Sequence, residues 1–181
     1  MEAVILFGVT GPSYRRRLDL RALLAKKSFF LFGPRATGKT RLVQDSLGES
    51  ARIYDLLDAR TFNRLLRQPS LLEEENAAMG RAGPAVIVID EVQKLPALLD
   101  EVHRLIEKHG WRFLLTGSSA RKLRHGGANL LAGRAWTAAL FPLVSAEIPS
   151  FDLGDLGRYL NHGGLPAIYP AAEFREELQS Y

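Results

Sequence analysis

The chain has 181 residues, 46% of them hydrophobic and 24% charged, enough apolar material for a buried core in one ordinary domain or one domain and part of another. Its 24 Lys and Arg against 20 Asp and Glu give a net charge of +4, a mild excess that reads as solvated surface and permits weak nucleic-acid contacts without demanding them. With no cysteine, a disulfide framework and a Cys-ligated zinc site are excluded, which fits a reducing cytoplasm.

Residues 4–13 are an apolar run with two glycines and no Lys-Ser/Thr pair, so they predict an extra strand or a loose N-terminal extension. No positive region precedes this run, and no apolar stretch approaches the roughly 20 residues of a membrane span; neither a signal peptide nor a membrane partner is expected. Residues 14–27 mix leucines with Arg15, Arg16, Arg17, Arg21, Lys26 and Lys27, which predicts a basic amphipathic helix with a solvated face.

Residues 28–32 are a short apolar strand. Gly33, Pro34, Arg35, Ala36, Thr37, Gly38, Lys39 and Thr40 follow, matching the phosphate-binding pattern G-x-x-x-x-G-K-S/T at every fixed position. A helix over 41–47, opening with Arg41, comes next. The glycines let successive N–H groups turn inward onto phosphate oxygens, and the new helix adds the positive end of its dipole. Lys39 is expected to reach the β- and γ-phosphates and Thr40 to ligate Mg²⁺.

A second strand is expected over 51–56, then two helical pieces over 59–78 broken near Gln68, Pro69 and Ser70. Glu73, Glu74 and Glu75 read as a solvated helix face, and residues 80–84 as a turn. Residues 85–91 are small or β-branched apolar residues ending in Asp90 and Glu91, the pattern of a buried parallel strand carrying carboxylates at its C-terminal end. Beside a phosphate loop, Asp90 would hold the metal and Glu91 would polarise the attacking water.

Pro96 opens a helix carrying Leu98, Leu99, Val102, Leu105 and Ile106 at helical spacing; His103 and His109 read as surface or capping residues. A strand over 111–116 delivers Thr116, Gly117, Ser118 and Ser119 at its end, where a polar group serves the γ-phosphate, the catalytic water or the cap of the next helix. A basic, glycine-flanked segment over 121–127 leads to a fifth strand over 136–140. Beyond Pro142, a short helix over 155–161, a turn over 163–166 and a helical tail over 171–181 are expected; no Gly or Pro ends that tail, as if the chain were cut inside an element. Alternating strands and helices predict an α/β fold with a parallel sheet covered on both faces.

Taken together, FLFGPRATGKT, VIVIDEVQKLPALLDEVHRLIE, RFLLTGSSARKLRHGGANLLAGRA and GGLPAIY resemble a family of prokaryotic AAA-like ATPases, in which an ATP-binding core precedes a C-terminal domain of unknown function. The resemblance implies a P-loop NTPase with five parallel strands in the order 5-1-4-3-2. It implies ATP and Mg²⁺ as cofactors, Ser118 as a sensor of the γ-phosphate, and Gly164-Leu165-Pro166 as a turn bringing Pro166 near adenine. Arg134 is similar to a basic position of the family, acting in cis, in trans as an arginine finger of a homo-oligomer, or not at all. The implied division is an extension over 1–13, a core over 14–150 and the start of a helical lid over 151–181, with a second domain of the family missing.

These readings converge on a cytoplasmic, Mg²⁺-dependent ATPase. The alternative is a nucleotide-gated module with little turnover and a DNA or protein partner, in defence or toxin–antitoxin regulation.

Overall fold

The computed structural model describes residues 14–78, 86–125, 131 and 133–180. The expected N-terminal strand or extension, the turn over 80–84 and the glycines at 126 and 127 lie outside the described residues. The chain divides into two compact units, one over Leu18–Phe141 and one combining Met1–Arg17 with Pro142–Tyr181.

In the first unit five parallel strands form one sheet: β1 (Ser28–Phe32), β2 (Ala51–Asp55), β3 (Val86–Asp90), β4 (Phe113–Gly117) and β5 (Ala135–Ala139). Their order is β2-β3-β4-β1-β5, the expected 5-1-4-3-2 counted from the other edge. β1, β3 and β4 are buried at every position, as continuous apolar runs covered on both faces should be. β2 and β5 stand at the edges and are only partly covered.

Side chains alternate across the sheet and divide the core in two. Phe30, Phe32, Ile87, Ile89, Phe113 and Leu115 pack on one face with Leu65 of α3 (Ala59–Arg67), Leu72 of α4 (Leu71–Ala77), Leu98 and Leu105 of α5 (Leu98–His109), and Leu123 of α6 (Ala120–His125). Phe29, Leu31, Val86, Val88 and Leu114 pack on the other with Leu20 and Leu24 of α1 (Leu20–Lys26) and Leu42, Val43 and Leu47 of α2 (Lys39–Leu47). Burial of each such side chain contributes roughly 1.5–3 kcal/mol, so the sheet is anchored from both sides.

Two expectations for the charged segments are corrected. The helix predicted over 14–27 begins only at Leu20, because the Asp19 carboxylate caps it by accepting from the Ala22 N–H at 3.0 Å. The preceding arginines are not a uniformly solvated face. The Arg17 N–H donates to Glu147 Oε1 at 2.8 Å, and Arg16 Nε pairs with Glu147 Oε2 at 3.1 Å with both side chains buried.

The acidic run on α4 keeps solvent access but is engaged in ion pairs as well. Glu73 pairs with Arg104, Lys108 and His109 of α5, and Glu75 with Arg52 of β2 and Arg64 of α3. These pairs tie α4 to its neighbours where its short apolar stripe cannot. His109 also stacks on Trp111 at 4.4 Å, and β4 starts two residues later than expected, at Phe113.

In the second unit, Leu143, Ile148 and Tyr169 form a small core with Tyr14, Phe151 and Tyr159. It contains α7 (Leu153–His162), capped by Asp152, and α8 (Phe174–Ser180). Burial alone would raise the Glu147 pKa. The Arg17 and Val144 N–H groups and the Arg16 guanidinium outweigh it and hold the carboxyl below its usual value. Among the described residues, no helix is long and apolar enough to cross a membrane.

Candidate functional site

The C-terminal ends of β1, β3 and β4 converge at the opening of α2. Open α/β sheets take ligands at this edge, because the loops leaving the strands gather there. The segment from Gly33 to Gly38 joins β1 to α2. Gly38 has φ 86°, which glycine adopts freely, while Ala36 holds φ 55° at a cost that non-glycine residues rarely bear. A Cβ at Gly33 would overlap the Leu140 carbonyl oxygen just beyond β5, so only glycine fits where the loop leaves the sheet. Thr37 is buried and its hydroxyl donates to the Pro34 carbonyl at 2.9 Å, closing the turn.

Lys39 is 6% exposed, an unusual state for a lysine. Its ammonium donates to the carbonyls of Gly33 at 2.8 Å and Pro34 at 2.9 Å, and so lies inside the loop. Burial pushes its pKa below the ordinary lysine value; the Glu91 and Asp90 carboxylates oppose that and Arg35 adds to it. A partly desolvated cation within a cradle of backbone dipoles is suited to an anionic ligand.

Thr40 Oγ1 donates to Asp90 Oδ2 at 3.0 Å, joining residues 50 positions apart. Asp90 ends β3 with 7% exposure, and its other oxygen accepts from the Thr116 hydroxyl of β4 and from the Glu91 N–H at 3.1 Å. The carboxylate is therefore held by both neighbouring elements. Glu91 follows at φ 57°, ψ 44°, a left-handed conformation rarely adopted by non-glycine residues, and its N–H also reaches Thr116 Oγ1 at 3.3 Å. Gln93 Nε2 donates to Glu91 Oε2.

The structure thus brings together Gly33, Pro34, Thr37, Gly38, Lys39, Thr40, Asp90 and Glu91. Arg35 and Ala36 are exposed on the same loop, and Arg41 in the first turn of α2 pairs with Asp45 at 2.9 Å. Ser118 follows the end of β4, half-buried, and Ser119 Oγ accepts from the Arg121 N–H in the manner of a helix cap. Thr116, fully buried, makes a contact with Asp90 that sequence reasoning missed; it grouped Thr116 with Gly117, Ser118 and Ser119 as groups serving the γ-phosphate, the catalytic water or a helix cap.

Arg134 is not brought to this cluster. It precedes Ala135, which pairs with Ser28 at the start of β1, whereas the phosphate-type loop leaves the far end. The separation is about 16 Å along the strands at ~3.3 Å per residue. Arg134 Nε pairs there with Glu107 of α5. Pro166 belongs to the second unit, where the turn has its own packing reason: a Cβ on Gly164 would come within 2.7 Å of the Leu143 carbonyl oxygen.

A metal at this edge would find oxygen donors, the Thr40 hydroxyl and the Asp90 carboxylate, which suit a hard cation such as Mg²⁺. Among the described residues, no group of three His, Cys, Asp or Glu could hold a metal, so the remaining ligands would come from phosphate and water.

No curated protein matches the chain by sequence. Among solved structures, it is similar to the replication initiator DnaA bound to AMPPCP and single-stranded DNA, with a TM-score of 0.53 and 13% identity over 88% of this chain and 58% of that one. Domain III of the Thermotoga maritima replication initiation protein DnaA aligns with a TM-score of 0.38 and 15% identity, over 76% of this chain and 62% of that one, too loosely to bear on the fold. The chain therefore spans less than two thirds of the length of these structures. The family model AAA_14, described as an AAA domain, matches residues 25–149, more than half of the chain. With the parallel sheet and its loop in place, the chain belongs to this AAA domain family of P-loop ATPases.

Proposed function

We propose that this protein binds ATP with Mg²⁺ and hydrolyses it to ADP and phosphate. The observation that carries the reading is the junction of Thr40 and Asp90 at 3.0 Å, with Lys39 on one side and Glu91 on the other. A triphosphate lying along Gly33 to Thr40 would take hydrogen bonds from the loop N–H groups. Lys39 would leave the Gly33 and Pro34 carbonyls for the β- and γ-phosphate oxygens, an exchange of neutral acceptors for charged ones.

Thr40 and Asp90 would hold Mg²⁺, which would supply charge neutralisation to the phosphates. Thr116 fixes the Asp90 carboxylate so that one oxygen stays aimed at Thr40. Glu91, one residue beyond the metal carboxylate, orients a water and accepts its proton as it attacks in line. Ser118, the residue after β4, would sense the γ-phosphate.

Calorimetry and phosphate release test the reading. Lys39→Ala is expected to abolish ATP binding, and Glu91→Gln to keep binding and lose hydrolysis. Equal affinity in wild type and Lys39→Ala would overturn the site. ATP bound by the wild type with no repeated turnover would make the protein a nucleotide-gated switch instead.

A further inference from the structure

Gln93 sits in the 3₁₀ turn Val92–Lys94 immediately after Glu91. Val92 is fully buried and Leu95 nearly so, which fixes both ends of the turn in the core. The Gln93 side chain runs back from this anchored turn toward the site, and its Nε2 donates to Glu91 Oε2. A carboxylate accepts hydrogen bonds only, so it dictates that the amide presents nitrogen and turns Oε1 the other way.

Two observations show what that orientation requires. Gln93 Oε1 is buried and, among the described residues, has no hydrogen-bond partner. A buried oxygen left unpaired is destabilising, a penalty that a methionine filling the same space would not incur. Oε1 also occupies the space where a Cβ on Gly117 would stand, so the amide fits only because that position in β4 is glycine. A residue selected for packing alone would keep neither the unpaired oxygen nor the dependence on Gly117. Both make sense if the N–H end is needed at Glu91.

We infer that Gln93 is a positioning residue for the water-activating carboxylate: it holds Glu91 Oε2 so that Oε1 is left to accept the proton of the attacking water. The inference rests on the proposed hydrolysis. It adds a clamp made of Gln93, with Gly117 as the recess that admits it. Among the described residues, Glu91 is otherwise held through its strained backbone, whose N–H reaches Asp90 and Thr116 and whose carbonyl accepts from the Lys94 N–H at 2.9 Å. Gln93 is the contact that fixes the end of the side chain.

The test uses the full chain and separates binding from turnover. In Gln93→Met, which keeps the volume and removes the donor, the Kd for ATP and the KM should stay within about twofold of wild type. The kcat should fall on the order of 10- to 100-fold, the size of effect expected when a reacting group is misplaced by about 1 Å. Gly117→Ala should give the same pattern, and the double variant should be no slower than the worse single one. In a Glu91→Gln background, Gln93→Met should have no further effect. A kcat within twofold of wild type in Gln93→Met, or a Kd that rises in step with the fall in kcat, overturns the assignment while leaving the hydrolysis reading intact. Absence of turnover in the wild type overturns both. Should Gly117→Ala fail to fold, Gln93→Met and the Glu91→Gln background decide the matter.

Discussion

The hydroxyl of Thr116 on β4 donates to Asp90 on β3, so the carboxylate at the candidate metal position is fixed by the strand beside it. Thr116 is fully buried, and its hydroxyl also accepts from the Glu91 N–H at 3.3 Å. Thr116→Val keeps the shape and removes both bonds. Stability should fall by about 1–3 kcal/mol in urea unfolding, since Asp90 and the Glu91 amide lose a buried partner. The Mg²⁺ concentration for half-maximal ATP binding should rise in the same variant, and Thr116→Ser should restore both values.

Gly33 is pressed against the Leu140 carbonyl, with no space for a side chain. Gly33→Ala should cost about 1–3 kcal/mol as an overpacked contact. Because the strain falls on the loop itself, calorimetry should also show weaker ATP binding. Unaltered affinity in a folded Gly33→Ala protein would dissociate the loop from its nucleotide role.

The Glu73 carboxylate is pulled down to about 2 by hydrogen bonds from Lys108, His109 and Arg104. A depressed folded-state pKa adds stability above the unfolded value of 4.5, and that contribution is lost as pH falls toward 2. Glu73→Gln should therefore have a lower urea midpoint than wild type at pH 7, and the gap should narrow between pH 4.5 and the acid limit of folding. High salt should narrow it at pH 7 as well, because the cluster is solvent-accessible.

Glu147 and Arg16 form a buried pair in the second unit. Removing one partner leaves a buried charge, so Glu147→Leu should destabilise by about 3–5 kcal/mol. Arg16→Met combined with Glu147→Leu should be less damaging than either alone. Urea unfolding of the three variants measures the coupling.

Arg134 stands a strand's length from the loop and is paired with Glu107, so Arg134→Ala in a lone chain should change kcat less than twofold. A loss on the order of 10³-fold, restored by mixing with Lys39→Ala, would instead identify an arginine finger acting on a neighbouring subunit.

What could be read from the sequence follows from how locally each feature is determined. β1, β3 and β4 were legible because strands buried on both faces must be apolar throughout, and their ends place Lys39, Thr40, Asp90 and Glu91 without further information. The start of α1 was not. Arg16 and Arg17 are spoken for by Glu147, 130 residues from Arg17, and no periodicity reports a partner so remote. The same holds for Glu73 and Glu75, whose partners lie on α5, α3 and β2.

Among Thr116, Gly117, Ser118 and Ser119, the sequence marks the right strand end but not which side chain turns toward Asp90; that depends on the alignment of β4 with β3. The position of Arg134 did carry a usable signal. A residue at the start of a parallel strand lies opposite the edge where the loops gather, so its place just before a strand parallel to β1 separates it from the loop of its own chain.

The Leu140 peptide spans two events in the life of the chain. Its N–H donates to the Phe32 carbonyl at 2.7 Å and its carbonyl forms the wall behind Gly33, so the last of the sheet's five strands to be synthesised closes the cradle that follows the first. β1 finds both its neighbours, β4 and β5, far downstream. Such long-range closure comes late in folding. During translation, a nascent chain that has not yet released residue 140 from the ribosome holds the whole phosphate-loop sequence but lacks that wall. Nucleotide binding should therefore begin abruptly, with the arrival of β5 rather than with the completion of the motif, and ribosome-bound chains of increasing length would show the step.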